Sequence, residues 1–244
     1  MKFAKHLLTA FLPVFICLHS FSQAETPALK ISHLTGNFYV YTTYKMLDGE
    51  PFPSNSMYLV TIKGVVMFDT PWDSTQFQPL LDSIAARHHH KVVLCIATHF
   101  HDDRTIGFAF LRQHGVKTYS SELTYQLCKQ HGDNQAEYCF TGDTTFTIGG
   151  YSFQTYYPGK GHAPDNIVIW FGKQKILYGG CLVKSMENTS LGYLADADVT
   201  AWPATIKRVM AKFPGAVYVI PGHFGWADNH SLRHTLDLLK QNGK

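Results

Sequence analysis

Val92-Val93-Leu94-Cys95-Ile96-Ala97 is an unbroken apolar run, and Thr98-His99-Phe100-His101-Asp102-Asp103 follows it at once. A short apolar run of this kind reads as a strand buried in a sheet. Whatever follows it is delivered to one edge of that sheet. Two imidazoles and a carboxylate in a tight turn at such an edge can converge on one point in space, as a metal ion requires and as histidines scattered along a helix seldom allow. Three further candidate ligands follow, each beside glycine: Gly161-His162, Gly179-Gly180-Cys181 and Gly222-His223.

The chain around this cluster has 244 residues, 45% hydrophobic and 16% charged, enough material for one compact core. No repeat, low-complexity stretch or charge block interrupts it. Residues 1–24 read as an export signal: Lys2 and Lys5 form a positive start, Leu7 to Leu18 an apolar stretch short for a bilayer, and Ser22-Gln23-Ala24 a small-x-small cleavage site. The expected mature chain, 25–244, is a single domain in the periplasm with no stable membrane association. Removal of Lys2 and Lys5 lowers the formal net charge from +3 to +1, and the remaining lysines are dispersed, which gives no case for a nucleic-acid partner.

Export to an oxidising compartment raises the question of disulfides. Cys17 lies in the signal and lacks the small preceding residues of a lipidation site, so it reads as apolar filler. Cys95 falls inside the buried run, where a thiol packs as a small hydrophobe. Whether Cys128 and Cys139 bridge is left open. Cys181 stands apart, between glycines and the polar Lys184-Ser185, at an open strand end.

Patterning gives the rest. Strands are expected over 38–41, 56–62 and 65–69, the last two joined by a hairpin at Lys63-Gly64. A helix should open at Asp73, with Gln76 in a capping-box position, and run to Arg87. The strand 92–97, a helix over 105–113, a short strand 117–119 and a helix 121–129 follow. Strands at 145–148, 151–156, 167–171 and 176–178 come next, then a helix capped by Thr200 with Pro203 in its first turn, running to Lys212. A strand 217–220 and a helix 230–240 close the chain. Strands, helix and strands, twice over, describe two sheets packed face to face with helices outside and the candidate ligands on strand-following loops.

Zinc takes imidazole nitrogen, thiolate and carboxylate oxygen, and a catalytic site keeps one position open for water. His99, His101 and His162 would form one neutral three-ligand set. Asp103, Cys181 and His223 would form a second, whose two anionic groups balance the charge of the metal. Two ions sharing a water would acidify it towards neutrality.

Taken together, Thr98-His99-Phe100-His101-Asp102-Asp103-Arg104, Gly161-His162, Gly180-Cys181-Leu182-Val183-Lys184 and Pro221-Gly222-His223 resemble the subclass B1 metallo-β-lactamases, across essentially the whole mature chain. The resemblance implies an αββα sandwich of two mixed β-sheets with helices on the outer faces. It implies two Zn2+ per chain, one on His99, His101 and His162 and one on Asp103, Cys181 and His223. It further implies a monomer that opens the β-lactam ring of penicillins, cephalosporins and carbapenems by attack of a metal-bound hydroxide, conferring antibiotic resistance, with Asp103 as the catalytic carboxylate that orients the nucleophile. Arg104 and Cys181 separate this branch from thioesterases and lactonases of the wider superfamily, which carry histidine after the aspartate and a later bridging aspartate.

Lys184 is the expected partner for the substrate carboxylate, as a point charge on a flexible stem. Many relatives place asparagine where Leu191-Gly192-Tyr193 has tyrosine, so Tyr193 is a substrate-binding candidate that either donates its phenol or packs. Asp69 is expected as a partner standing behind a ligand histidine, Asp102 as a structural carboxylate, and His88-His89-His90, His114 and His131 as helix-end residues. The loop Thr43 to Asn55 is expected to be a mobile flap and Trp72 to pack near the site floor. Two other readings stand beside this one: a superfamily thioesterase or lactonase, and a non-enzymatic periplasmic zinc-binding protein, for which closed four-ligand sites would be expected.

Overall fold

A computed structural model describes residues 27–242. The expected export signal, with Cys17, lies outside them.

Seven strands form the first sheet in sequential order: β1 (Lys30–Thr35), β2 (Phe38–Leu47), β3 (Glu50–Thr61), β4 (Gly64–Phe68), β5 (Val92–Ile96), β6 (Lys117–Ser121) and β7 (Tyr138–Phe140). The second sheet has β8 (Thr145–Ile148), β9 (Tyr151–Tyr156), β10 (Val168–Phe171), β11 (Ile176–Gly180) and β12 (Tyr218–Pro221), in the reverse order from β12 to β8. Pairing is antiparallel from β1 to β4 and parallel from β4 to β7, and β11 pairs β12 in parallel, so both sheets are mixed. The helices are α1 (Phe77–His88), α2 (Asp102–Thr105), α3 (Phe108–Gln113), α4 (Glu122–His131), α5 (Trp202–Lys212) and α6 (Ser231–Asn242).

The layering follows from period-two alternation. Val66 and Phe68 of β4 point between the sheets with Leu59, Ile96, Phe153, Phe171 and Ile220. Val65 and Met67, the alternate residues, face Leu80 and Ile84 of α1 and Phe108 and Leu111 of α3. On the far side, Val168, Leu177 and Val219 meet Trp202, Ile206 and Val209 of α5 and Leu238 of α6. Helix, sheet, sheet and helix are thus held by three apolar layers, the expected αββα sandwich. None of the described helices is long and apolar enough to cross a membrane.

Several local expectations change. The segment 43–55 is strand, not loop: β2 and β3 pair out to Leu47 opposite Glu50, and Asp48 (φ 52°) with Gly49 (φ 85°) make the turn. Pro51 and Pro53 are tolerated because β3 pairs with β4 only from Met57 onward, leaving this stretch an edge. Gln76 is no capping box; its side-chain amide grips the Tyr44 backbone, accepting from N–H at 3.1 Å and donating to C=O at 2.6 Å. The helix over 105–113 is two helices, α2 and α3, parted at Gly107, where a Cβ would come 2.9 Å from Thr70 Cβ. Thr200 does not cap α5; Asp198 takes the Ala201 N–H at 2.8 Å. The thiols of Cys95, Cys128, Cys139 and Cys181 are all free. The helix-end histidines behave as expected: His88 pairs with the Tyr58 hydroxyl at 2.9 Å, and His114 with the Phe110 carbonyl at 2.9 Å.

Candidate metal centre

The candidate residues leave the sheets at one edge. His99 follows β5, His162 lies between β9 and β10, Cys181 ends β11 and His223 follows β12. The Gly222 N–H donates to the Gly180 carbonyl at 2.8 Å, and the Gly222 carbonyl accepts from Asn55 N–H at 2.8 Å, which locks these strand ends together. Only glycine fits at 222, since a Cβ would stand 2.7 Å from Cys181 N and 2.8 Å from its Sγ.

All six expected ligands come together. His99 Nε2 and His101 Nδ1 are 3.1 Å apart, and the His162 ring lies 5.1 Å from His99 and 5.0 Å from His101 between centroids. His223 Nε2 lies 3.2 Å from Asp103 Oδ2 and 3.2 Å from Cys181 Sγ, and Cys181 Sγ lies 3.4 Å from that same carboxylate oxygen. Bonds of 2.0–2.3 Å to a tetrahedral ion place neighbouring donors about 3.3–3.7 Å apart, so these spacings are close to the edges of a coordination polyhedron. Donor atoms of His99, His101 and Asp103, of His99, His162 and Cys181, and of Asp103, Cys181 and His223 each fall within 4.8 Å of one another.

Three of the imidazoles have their second nitrogen occupied by an acceptor. His223 Nδ1–H donates to the Pro53 carbonyl at 2.9 Å and His101 Nε2–H to the Asp196 carboxylate at 3.0 Å. The Thr98 hydroxyl donates its hydrogen to Asp69 at 2.8 Å, so it accepts from His99 Nδ1–H at 3.3 Å. Each ring therefore turns a bare lone pair to the cluster, the tautomer a metal needs. His162 Nδ1 is buried with no partner among the described residues. Lone pairs this close repel unless a cation lies between them, and the donor set fits zinc.

Burial, reinforced by His101, holds His99 well below the usual histidine range, and burial with Lys184 does the same to His162. His223 is likewise lowered by burial. Neutral imidazoles are the metal-binding form. Burial alone would raise the Asp103 carboxyl, but Arg104 and the His223 hydrogen bond outweigh it and hold it well below the carboxylate range. Burial pushes the Cys181 thiol up against the pull of Arg104, so its ionisation is left to a bound cation.

Residues 49–223 match the Metallo-beta-lactamase superfamily. The chain belongs to that superfamily. It is 43% identical over 224 residues to "Metallo-beta-lactamase type 2" of Elizabethkingia meningoseptica, covering 92% of this chain and 90% of that one. To "Metallo-beta-lactamase IND-1" of Chryseobacterium indologenes it is 40% identical over 232 residues, 95% and 97% of the two chains. The solved structure of metallo-beta-lactamase IND-7 superposes with a TM-score of 0.85 at 40% identity, covering 88% of this chain and 100% of that one.

Within this superfamily frame the remaining candidates take definite places. Lys184 is buried, not solvated, its ammonium 5.4 Å from the centre of the Trp202 ring and in no ion pair among the described residues. Tyr193 is 59% exposed and stands edge-on to His101 at 5.6 Å. Asp69 reaches His99 only through Thr98, one step further back than expected, and also accepts from the Tyr178 hydroxyl at 2.6 Å. Trp72 packs with Phe52 and His223. Sequence reasoning missed Asp196, which sits in a loop without periodic pattern, and the structural task of Arg104.

Proposed function

We propose that this chain is a periplasmic zinc β-lactamase. The mature domain, 25–244, is exported behind the signal 1–24 and hydrolyses penicillins, cephalosporins and carbapenems as a monomer. The observation that carries the reading is the convergence of six donors at one sheet edge, three of the imidazoles with their tautomer fixed from behind. His99, His101 and His162 would hold one zinc and Asp103, Cys181 and His223 the other. Zinc in such a site supplies a Lewis acid for the lactam carbonyl and a water acidified towards neutral pH.

The protein's own residues do the rest. Asp103 spans the two sets, Oδ1 at 3.9 Å from His99 Nε2 and Oδ2 at 3.2 Å from His223 Nε2. From there it accepts a hydrogen bond from the attacking water and orients it at the carbonyl carbon. Lys184, a buried cation in no ion pair among the described residues, pairs with the carboxylate that β-lactams carry beside the ring nitrogen. Phe52 and Trp72 give an apolar wall for the substrate's side chain, and Tyr193 borders the opening beside His101. C–N cleavage follows attack, and water protonates the departing nitrogen; no covalent acyl-enzyme is formed.

The test is turnover of a penicillin, a carbapenem and a thioester side by side, with zinc counted by spectroscopy. EDTA or dipicolinate should abolish lactam hydrolysis, and the serine-directed acylating inhibitor clavulanate should leave it intact. Thioester turnover without lactam turnover, or inhibition by clavulanate alone, would refute the reading.

A further inference from the structure

In the register of β2 and β3, Lys45 stands opposite Phe52. Directly opposed residues of an antiparallel pair project from the same face. That face is turned towards the cluster: Phe52 packs edge-on against Trp72 at 6.0 Å, His223 at 5.2 Å and Phe224 at 5.0 Å. Lys45 reaches from it to Asp102, Nζ to Oδ2 3.2 Å, with its ammonium 4.7 Å from the centre of the Trp72 ring. Asp102 lies between His101 and Asp103, so this cation ties the hairpin to the turn that carries three of the expected ligands. The Gln76–Tyr44 clamp fixes the strand one residue earlier, and beyond Lys45 the tip 48–51 is exposed. Lys45 is therefore the last side-chain anchor on β2 before the tip among the contacts described.

We infer that Lys45 and Asp102 form an electrostatic latch that sets how closely the hairpin rests on the floor made by Trp72 and His223, and so which lactam side chains pass beneath Phe52. The substrate half of this inference rests on the β-lactamase reading; the latch itself does not. The two side chains are 33% and 48% exposed, so solvent and salt weaken the pair. A weak tie suits a hairpin that is to yield to substrate, because a buried pair would resist displacement.

Hydrogen exchange and kinetics on the zinc-loaded full chain test the two halves separately. Lys45→Met keeps the apolar stem over Trp72 and removes the charge; amides over 44–52 should exchange about two- to fivefold faster than in the wild type. About 1 M NaCl should have the same effect on the wild type and little on the variant, and Lys45→Arg should retain slow exchange. Unchanged exchange in Lys45→Met overturns the latch, even if no lactam is turned over and the functional reading has failed. For lactams with bulky aryl side chains, KM should rise about three- to tenfold in Lys45→Met with kcat little changed, and by less than about twofold for those with a small alkyl group. An equal change for both classes, or none, overturns the selectivity role.

Discussion

Arg104 Nη2 stands 2.9 Å from Cys181 Sγ and 2.9 Å from Asp103 Oδ2, so one guanidinium nitrogen serves two members of the second expected ligand set. The same nitrogen donates to the Gly222 carbonyl at 2.9 Å, and Nη1 donates to the Asn55 carbonyl at 2.7 Å. The side chain is fully buried. A flat, permanently charged fork can reach β3, β11 and the loop after β12 at once, which a lysine ammonium cannot do with fixed geometry. Arg104 thereby offsets the charge of the Asp103 carboxylate where water is excluded and eases ionisation of the neighbouring Cys181 thiol.

Removal of that cation should be felt first in folding. Arg104→Ala leaves Asp103 buried beside the thiol without its main counter-charge, and breaking a buried pair by deleting one partner costs about 3–5 kcal/mol. Urea unfolding of the metal-free protein measures it. Wild-type stability in this variant would mean that the guanidinium contributes little to holding the strand ends together.

Cys181→Ser tests the second set without disturbing the first. The hydroxyl is a poor zinc ligand at neutral pH, while His99, His101 and His162 are untouched. Zinc content should fall by about one ion per chain, and carbapenem turnover should drop at least about tenfold. Full metal content with unchanged turnover would remove Cys181 from the ligand set.

The convergence of the candidate ligands was legible because metal chemistry restricts residue types, and strand ends beside glycine place them on one edge. The sandwich was legible through alternation such as Val65-Val66-Met67-Phe68, whose two faces enter different layers. The strand content of 43–55 was hidden by Pro51 and Pro53, which signal a loop unless one knows that β3 has a free edge there. Asp196 and Lys45 were hidden for another reason. Their roles depend on which loop or hairpin folds over the cluster, and no local pattern records that contact between residues far apart in the chain. Arg104 could be recognised as a family marker, but its four-way bonding arises only when Asn55, Cys181 and Gly222 arrive from separate strands.

Lys184→Ala should act mainly on substrate binding. The ammonium is buried and in no ion pair among the described residues, and burial lowers its pKa, so under the proposed function a substrate carboxylate would be its counter-ion. Loss of a charge-assisted contact of about 1.5–3 kcal/mol predicts a rise in KM of about ten- to a hundredfold for carboxylate-bearing lactams, with a smaller change in kcat. Steady-state kinetics on two such substrates decides it. An unchanged KM would assign Lys184 to packing against Trp202.

Asp165 gives the chain a pH dependence separate from the metal cluster. Its carboxyl is buried, neither oxygen finds a hydrogen-bond partner among the described residues, and burial pushes its pKa up to about 7. For an acid with a raised folded-state value, the folded protein keeps a proton that the unfolded chain releases. Stability is therefore lost as pH rises from the ordinary carboxylate range towards 7, on the order of 4 kcal/mol in all. Asp165→Asn cannot titrate, so its stability relative to the wild type should improve between pH 5 and pH 8. Urea unfolding in EDTA at both pH values isolates this from metal binding, which is itself pH-dependent. A constant difference between variant and wild type would show that Asp165 stays in one protonation state across this range.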